Sequence, residues 1–174
     1  MHVTVLRASN ATQYKAIMLH AYEHAADAFT STPAEREREP DNWWIDRISD
    51  PTGLKIAFGV FDGSVLVGTA ALEFSAKRKT RHKALIIGMY VLPEWRKNGI
   101  ARTLVRAAID YCRMREGIRA IQLEATEGTI PAIALYRDLG FIEFGVEPLG
   151  LLTESGYRSK LHMWLELQGS KNAG

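Results

Sequence analysis

The chain lacks the features that mark several classes of protein. Cys112 is its single cysteine, so no internal disulfide can form. With no partner cysteines and no clustered histidines, a structural zinc site is not expected either. Charge of one sign is not in excess: 22 Lys and Arg face 20 Asp and Glu, a formal +2, and no basic stripe suited to non-specific nucleic-acid binding results. Long apolar runs are missing too. The longest, Ala84 to Leu92, is about half of the roughly 20 residues that cross a bilayer, and the first residues carry no charged-then-apolar leader pattern. These absences predict a reduced, cytoplasmic protein that binds neither membrane nor nucleic acid. The familiar phosphate loops are also absent: neither a glycine loop ending in Gly-Lys-Ser/Thr nor a G-x-G-x-x-G run occurs.

What is present suffices for one core. At 47% hydrophobic over 174 residues, the chain can bury one sizeable core but not two, and residues 1–174 are expected to form a single domain. The opening "HVTVLRAS" alternates as a strand does, and Asn10 with Gln13 resembles a capping box for a helix running toward Phe29. Pro33, Pro40 and Pro51 break the charged stretch that follows into short helices and loops with a solvated face, Asp41 being placed to cap the piece with Trp43 and Trp44. "LKIAFGVF" and "SVLVGTAALEF" flank Asp62-Gly63 and predict a β-hairpin. A basic turn, "AKRKTRHK", leads into "ALIIGMYV", a strand buried on both faces.

From Gly99 the period changes. Ile100, Leu104, Ala107, Ala108 and Tyr111 share a helical face until Gly117. Cys112 lies mid-helix among apolar neighbours, where a thiol acts as a small buried hydrophobe. A strand "AIQLEAT", a helix from Ile130 to Leu139 with Pro131 in its first turn and Gly140 past its end, and strands "FIEFGVEP" and "YRSKLHMWLEL" complete the chain. The sum is a mixed α/β or α+β domain, an antiparallel meander followed by a strand–helix–strand–helix–strand unit.

The seam "VLPEWRKNGIARTLV" joins a strand to a helix with little side chain and much positive charge. A helix start presents unpaired N–H groups backed by the positive end of its dipole. Gly99 and Ala101 leave room for an anion to approach, and Arg96, Lys97 and Arg102 add charge around the same point. A diphosphate bound without magnesium fits, and coenzyme A carries one. Spacing alone equally allows Gly99 to ease a turn while the cations decorate a surface helix.

"MYVLPEWRKNGIARTLV" resembles the acyl-CoA signature of the GNAT N-acetyltransferase superfamily, V-x-P-x-x-R/Q-x-x-G-x-G/A, with Val91, Pro93, Arg96, Gly99 and Ala101 in register. "TIPAIALYRDLGF" resembles its N-x-x-A-x-x-L-Y-x-x-x-G-F block at Ala132, Leu135, Tyr136, Gly140 and Phe141, with Thr129 where asparagine is common. The resemblance implies a GNAT-like acyl-CoA N-acyltransferase fold, α+β, with a central twisted, mostly antiparallel sheet flanked by helices. It implies acetyl-CoA as donor, no metal, and direct attack on the thioester by a primary amine of a small molecule or peptide. A homodimer follows family habit.

The resemblance also assigns roles. Met89, Tyr90 and Val91 would pair with the pantetheine arm along a splayed strand. Arg96, Lys97, Asn98, Gly99, Ile100, Ala101 and Arg102 would hold the diphosphate, and Thr129 would reach toward the pantetheine. Tyr136 would protonate the departing thiolate. For the base, Glu73, Glu124, His82 and water all stand open; Phe29, Trp43 and Trp44 could line an acceptor pocket. The alternative is a non-catalytic acyl-CoA-binding regulatory module that keeps the cleft without turnover.

Overall fold

A computed structural model describes residues 2–167; residue 1 and residues 168–174 of the expected 1–174 domain lie outside the described residues. In chain order the elements are β1 (Val3–Val5), α1 (Ala11–His24), α2 (Pro33–Glu37), α3 (Asp41–Ile48), β2 (Lys55–Asp62), β3 (Val65–Phe74) and β4 (Lys83–Val91). Then come α4 (Ile100–Met114), β5 (Ala120–Thr126), α5 (Ile130–Asp138), β6 (Ile142–Thr153) and β7 (Gly156–Glu166). The strands form one seven-stranded sheet in the order β1-β2-β3-β4-β5-β7-β6. Every pairing is antiparallel except β4 with β5, which the α4 crossover makes parallel.

Helices pack on each face of the sheet across β2, β3 and β4, whereas β6 is exposed along most of its length. Leu104, Val105, Ala108, Ile109 and Cys112 of α4 pack with Phe58, Leu72 and Ile86 on one side. Tyr14, Ile17, Met18 and Ala21 of α1 pack with Trp44 and Ile48 of α3 on the other. The helical period of α4 puts these side chains on one stripe, and burying each of Leu104 and Val105 is worth about 1.5–3 kcal/mol.

Several boundaries differ from the sequence expectation, each for a physical reason. Asn10 does not cap α1 with its side chain; its Oδ1 accepts the Arg7 N–H at 3.0 Å and its Nδ2 donates to Gln13. The helix stops at His24 rather than Phe29, and a 3-10 turn, Ala26–Ala28, follows. The capping box lies instead at Thr32 and Glu35, which exchange bonds of 2.8 and 3.3 Å and start α2. Asp41 is the first residue of α3, with Pro40 at the cap. Asp62 pairs with Val65, so Gly63 and Ser64 form the hairpin connection, one residue later than expected, next to a register shift at Val60/Phe61. β6 continues through Pro148 to Thr153, which is possible because an edge strand has one row of N–H groups with no neighbour to serve.

The irregularity that matters most lies in β4. Thr69 pairs with Tyr90 and Ala71 with Ile87, so β4 holds one residue more than β3 over the same stretch, a β-bulge at Gly88 and Met89. Gly88 takes φ +59 to make it. The extra residue reverses the alternation: Ala84 and Ile86 face the α4 cluster, whereas Tyr90 joins the α1 cluster and Val91 returns to α4. Gly88→Ala should lower stability by about 1–2 kcal/mol, the cost of a left-handed L-residue, read as a lower urea midpoint at unchanged slope. An unchanged midpoint would contradict this backbone.

Candidate active site

β4 and β5 pair at only three positions, from Lys83↔Ala120 to Leu85↔Gln122. Beyond them β4 stays with β3 and β5 with β7. The edges Ile86 to Val91 and Leu123 to Thr126 line opposite sides of a cleft of about 840 Å³. An edge of β4 with no strand partner offers N–H and C=O groups at the spacing another extended chain would match.

α4 begins at the mouth of this cleft. Lys97 (φ 65) and Gly99 (φ 75) are both left-handed, and the first bond back into the helix is Thr103 N–H to Gly99 C=O at 3.0 Å. Among the described residues, the N–H groups of Gly99, Ile100, Ala101 and Arg102 have no acceptor in the chain. A Cβ built on Gly99 would meet nothing within 4 Å, so a side chain there would project into open space rather than against protein. This is the cradle expected for a diphosphate, and the donor set fits one.

The expected donor-site residues gather here with one exception. Met89, Tyr90, Val91, Arg96, Lys97, Gly99, Ile100, Ala101, Arg102 and Thr129 all line the cleft. Asn98 does not; it is exposed and donates to the Trp95 carbonyl at 3.3 Å. Arg96 lies over the Tyr90 ring, 5.6 Å from its centre, and its Nε donates to the Val91 carbonyl at 3.1 Å, tying the turn to the end of β4. Arg102 is paired with Asp138 of α5 at 2.8 Å. Thr129 does not cap α5 with its side chain, because its hydroxyl donates to the Thr126 carbonyl at 2.6 Å.

Tyr136 comes from α5, is 6% exposed, and faces the cleft. Burial pushes its phenol up to about 12. Of the three side chains considered as a base, only Glu124 lines the cleft. Its carboxylate is held by Lys160 at 2.8 Å, with His162 at 3.7 Å. Glu73 lies in a separate hollow, with Arg47 at 3.8 Å, and His82 sits in the turn before β4, outside the cleft. Cys112 is fully buried in α4, away from the cleft, and burial pushes its thiol up to about 12.

Phe29 lines the cleft, whereas Trp44 is core, 1% exposed. Trp43 serves instead as a platform for two arginines, Arg36 and Arg47, which do line the cleft. In the sequence both sit in a charged stretch whose usual meaning is a solvated face, and no local signal distinguishes them. Among the described residues no group of three or more His, Cys, Asp or Glu is placed to hold a metal, and no helix is long and apolar enough to cross a membrane.

Comparison with known proteins identifies the family and the fold. Residues 18–141 match the acetyltransferase (GNAT) family. An L-amino acid N-acetyltransferase, AaaT, from Escherichia coli is 28% identical over 142 residues, 81% of this chain and 84% of that protein. A streptothricin acetyltransferase from Streptomyces lavendulae is 38% identical over 82 residues, 47% of this chain and 41% of that one. The fold matches yncA from Salmonella typhimurium, solved with its cofactor acetyl-CoA, at TM-score 0.78 and 19% identity, covering 100% of both chains. A Gly99→Glu variant should lose measurable binding in a calorimetric titration with acetyl-CoA, because side chain and negative charge both enter the cradle. Wild-type affinity in that variant would contradict the assignment.

Proposed function

Because the chain belongs to the acetyltransferase (GNAT) family and takes its acetyl group from acetyl-CoA, we propose that a primary amine attacks the thioester directly in the cleft between β4 and β5. The observation that carries this reading is the meeting of three groups in that one cleft: the open edge of β4, the unbonded start of α4, and the buried Tyr136 hydroxyl. The E. coli relative is named as an N-acetyltransferase of L-amino acids, and that name supports an amine acceptor.

Bound here, acetyl-CoA supplies an acyl group already activated as a thioester. The N–H groups from Gly99 to Arg102, with Arg96 and Lys97, hold the diphosphate, and the edge at Met89, Tyr90 and Val91 pairs with the amides of the arm. An N–H on that edge stabilises the carbonyl oxygen as it gains charge, a donor fixed before the reaction starts. Alignment contributes much of the rate, since no covalent enzyme intermediate is needed. Glu124 accepts the proton the amine loses, directly or through one water, and Lys160 orients its carboxylate.

Tyr136 lines the same cleft and would stand beside the thioester sulfur as the C–S bond breaks. A phenol near 12 is a weaker acid than a thiol near 8.5. Its main contribution is therefore a hydrogen bond to the developing thiolate, and the proton lost by nitrogen balances the one finally gained by sulfur. Tyr136→Phe should lower kcat about a hundred-fold while the Kd for acetyl-CoA stays near the wild-type value; equal kcat would remove this role. Since the phenol keeps its proton up to about 12, wild-type kcat should show no alkaline fall from Tyr136 below about pH 11. A limb near pH 9 that vanishes in Tyr136→Phe would overturn this assignment.

A further inference from the structure

The cleft has a second wall that the acetyl transfer described above does not use. Arg36 lies on α2 and Arg47 on α3, and both face the cleft. Their guanidinium carbons stand 4.5 and 4.7 Å from the centre of the Trp43 ring, so one indole holds both side chains in place. The Arg36 side chain is 24% exposed and that of Arg47 is 16%. Neighbouring acids satisfy them only in part. Glu39 accepts one N–H of Arg36 at 3.3 Å, while Glu73 stands 3.8 Å from Arg47, beyond hydrogen-bond reach. The Tyr14 hydroxyl faces Arg47 and the Tyr22 hydroxyl faces Arg36, yet among the described residues neither buried Nε has an acceptor within hydrogen-bond distance.

Both arginines line the cleft with part of the guanidinium still exposed, and two cations held on one wall with incomplete pairing point to an anionic ligand. A carboxylate suits them, because its two oxygens match the side-by-side N–H groups of a guanidinium edge. Between the arginines and β4 runs an aromatic floor: Tyr22 meets Phe29 edge-on at 5.2 Å, and Phe29 meets Tyr90 at 6.4 Å. An acceptor on that floor can place its acid end at the arginines and its amine at the open edge of β4.

We propose that Arg36 and Arg47 bind the carboxylate of the acceptor, so that the enzyme acetylates the amine of small amino acids in preference to amines that lack an acid group. The inference rests on the transferase reading above. It is tested by thiol release from acetyl-CoA with the twenty common amino acids, each beside its amide and, where one exists, its decarboxylated amine.

For the best acid, kcat/KM should exceed that of its amide by about ten- to a hundred-fold, the worth of a charge-assisted pair. Arg36→Gln and Arg47→Gln should each bring that ratio toward one, chiefly by raising KM for the acid. Acetyl-CoA binding at wild-type Kd certifies that the variants are folded; should they fail to fold, the wild-type ratio decides alone. Amides or alkylamines acetylated as fast as the acids would overturn the inference. So would acceptance of other primary amines, such as a peptide N-terminus, with none of the acids, and the transferase reading would then survive. Acetyl-CoA binding without thiol release to any amine would overturn both.

Discussion

β4 and β5 run side by side for three residue pairs and then part, and the chemistry available to the molecule depends on that parting. Parallel strands bring their C-terminal ends to the same edge of a sheet, so the helices that follow them start at the same place. α4 follows β4 and α5 follows β5. The unbonded start of α4 and Tyr136 on α5 therefore meet at the mouth of one cleft. Each strand keeps its other neighbour, β3 for β4 and β7 for β5. The open edge is thus held in place although nothing among the described residues pairs with it. The bulge at Gly88 adds a reversal of side-chain direction within the same strand, which sends Tyr90 toward α1.

The two ends of the cleft hold charge differently. At the start of α4, Arg96 is tied through Nε to a backbone carbonyl and Arg102 is paired with Asp138, which leaves Lys97 and the outer N–H groups of Arg96 as the side-chain charge. The backbone N–H groups and the helix dipole then carry much of the attraction for an anion. At the other end the arrangement is reversed. Arg36 and Arg47 are stacked on one tryptophan and keep buried N–H groups with no acceptor, so side chains, not backbone, offer the unmet donors.

Much of the fold was legible because it is written in local patterns. The period of α4, the seven residues of β5, and Pro131 and Gly140 at the ends of α5 all reappear within a residue or so. What failed was what depends on register. Glu73 and Glu124 are both strand glutamates, and only the parting of β4 from β5 decides that one faces the cleft and the other does not. Gly88 sat inside an apolar run, where a lone glycine is a fair signal of a bulge, but the direction of the reversal needed the pairing with β3. Arg36 and Arg47 were lost in a charged stretch whose usual meaning is a solvated face. Thr32 and Glu35 spell a capping box that fixes the helix carrying Arg36, yet the stacking on Trp43 joins two helices and has no sequence signature.

The central claim is that the parting of β4 from β5 is the donor's binding slot. Amide hydrogen exchange of the intact protein with and without acetyl-CoA tests it most directly. The account predicts slower exchange confined to the open edge of β4, residues 86–91, and to the start of α4, residues 99–102, with the β1–β2 pairing and the outer edge of β6 unchanged. Saturating acetyl-CoA that leaves those amides exchanging as fast as before, or protects another part of the sheet instead, would contradict it.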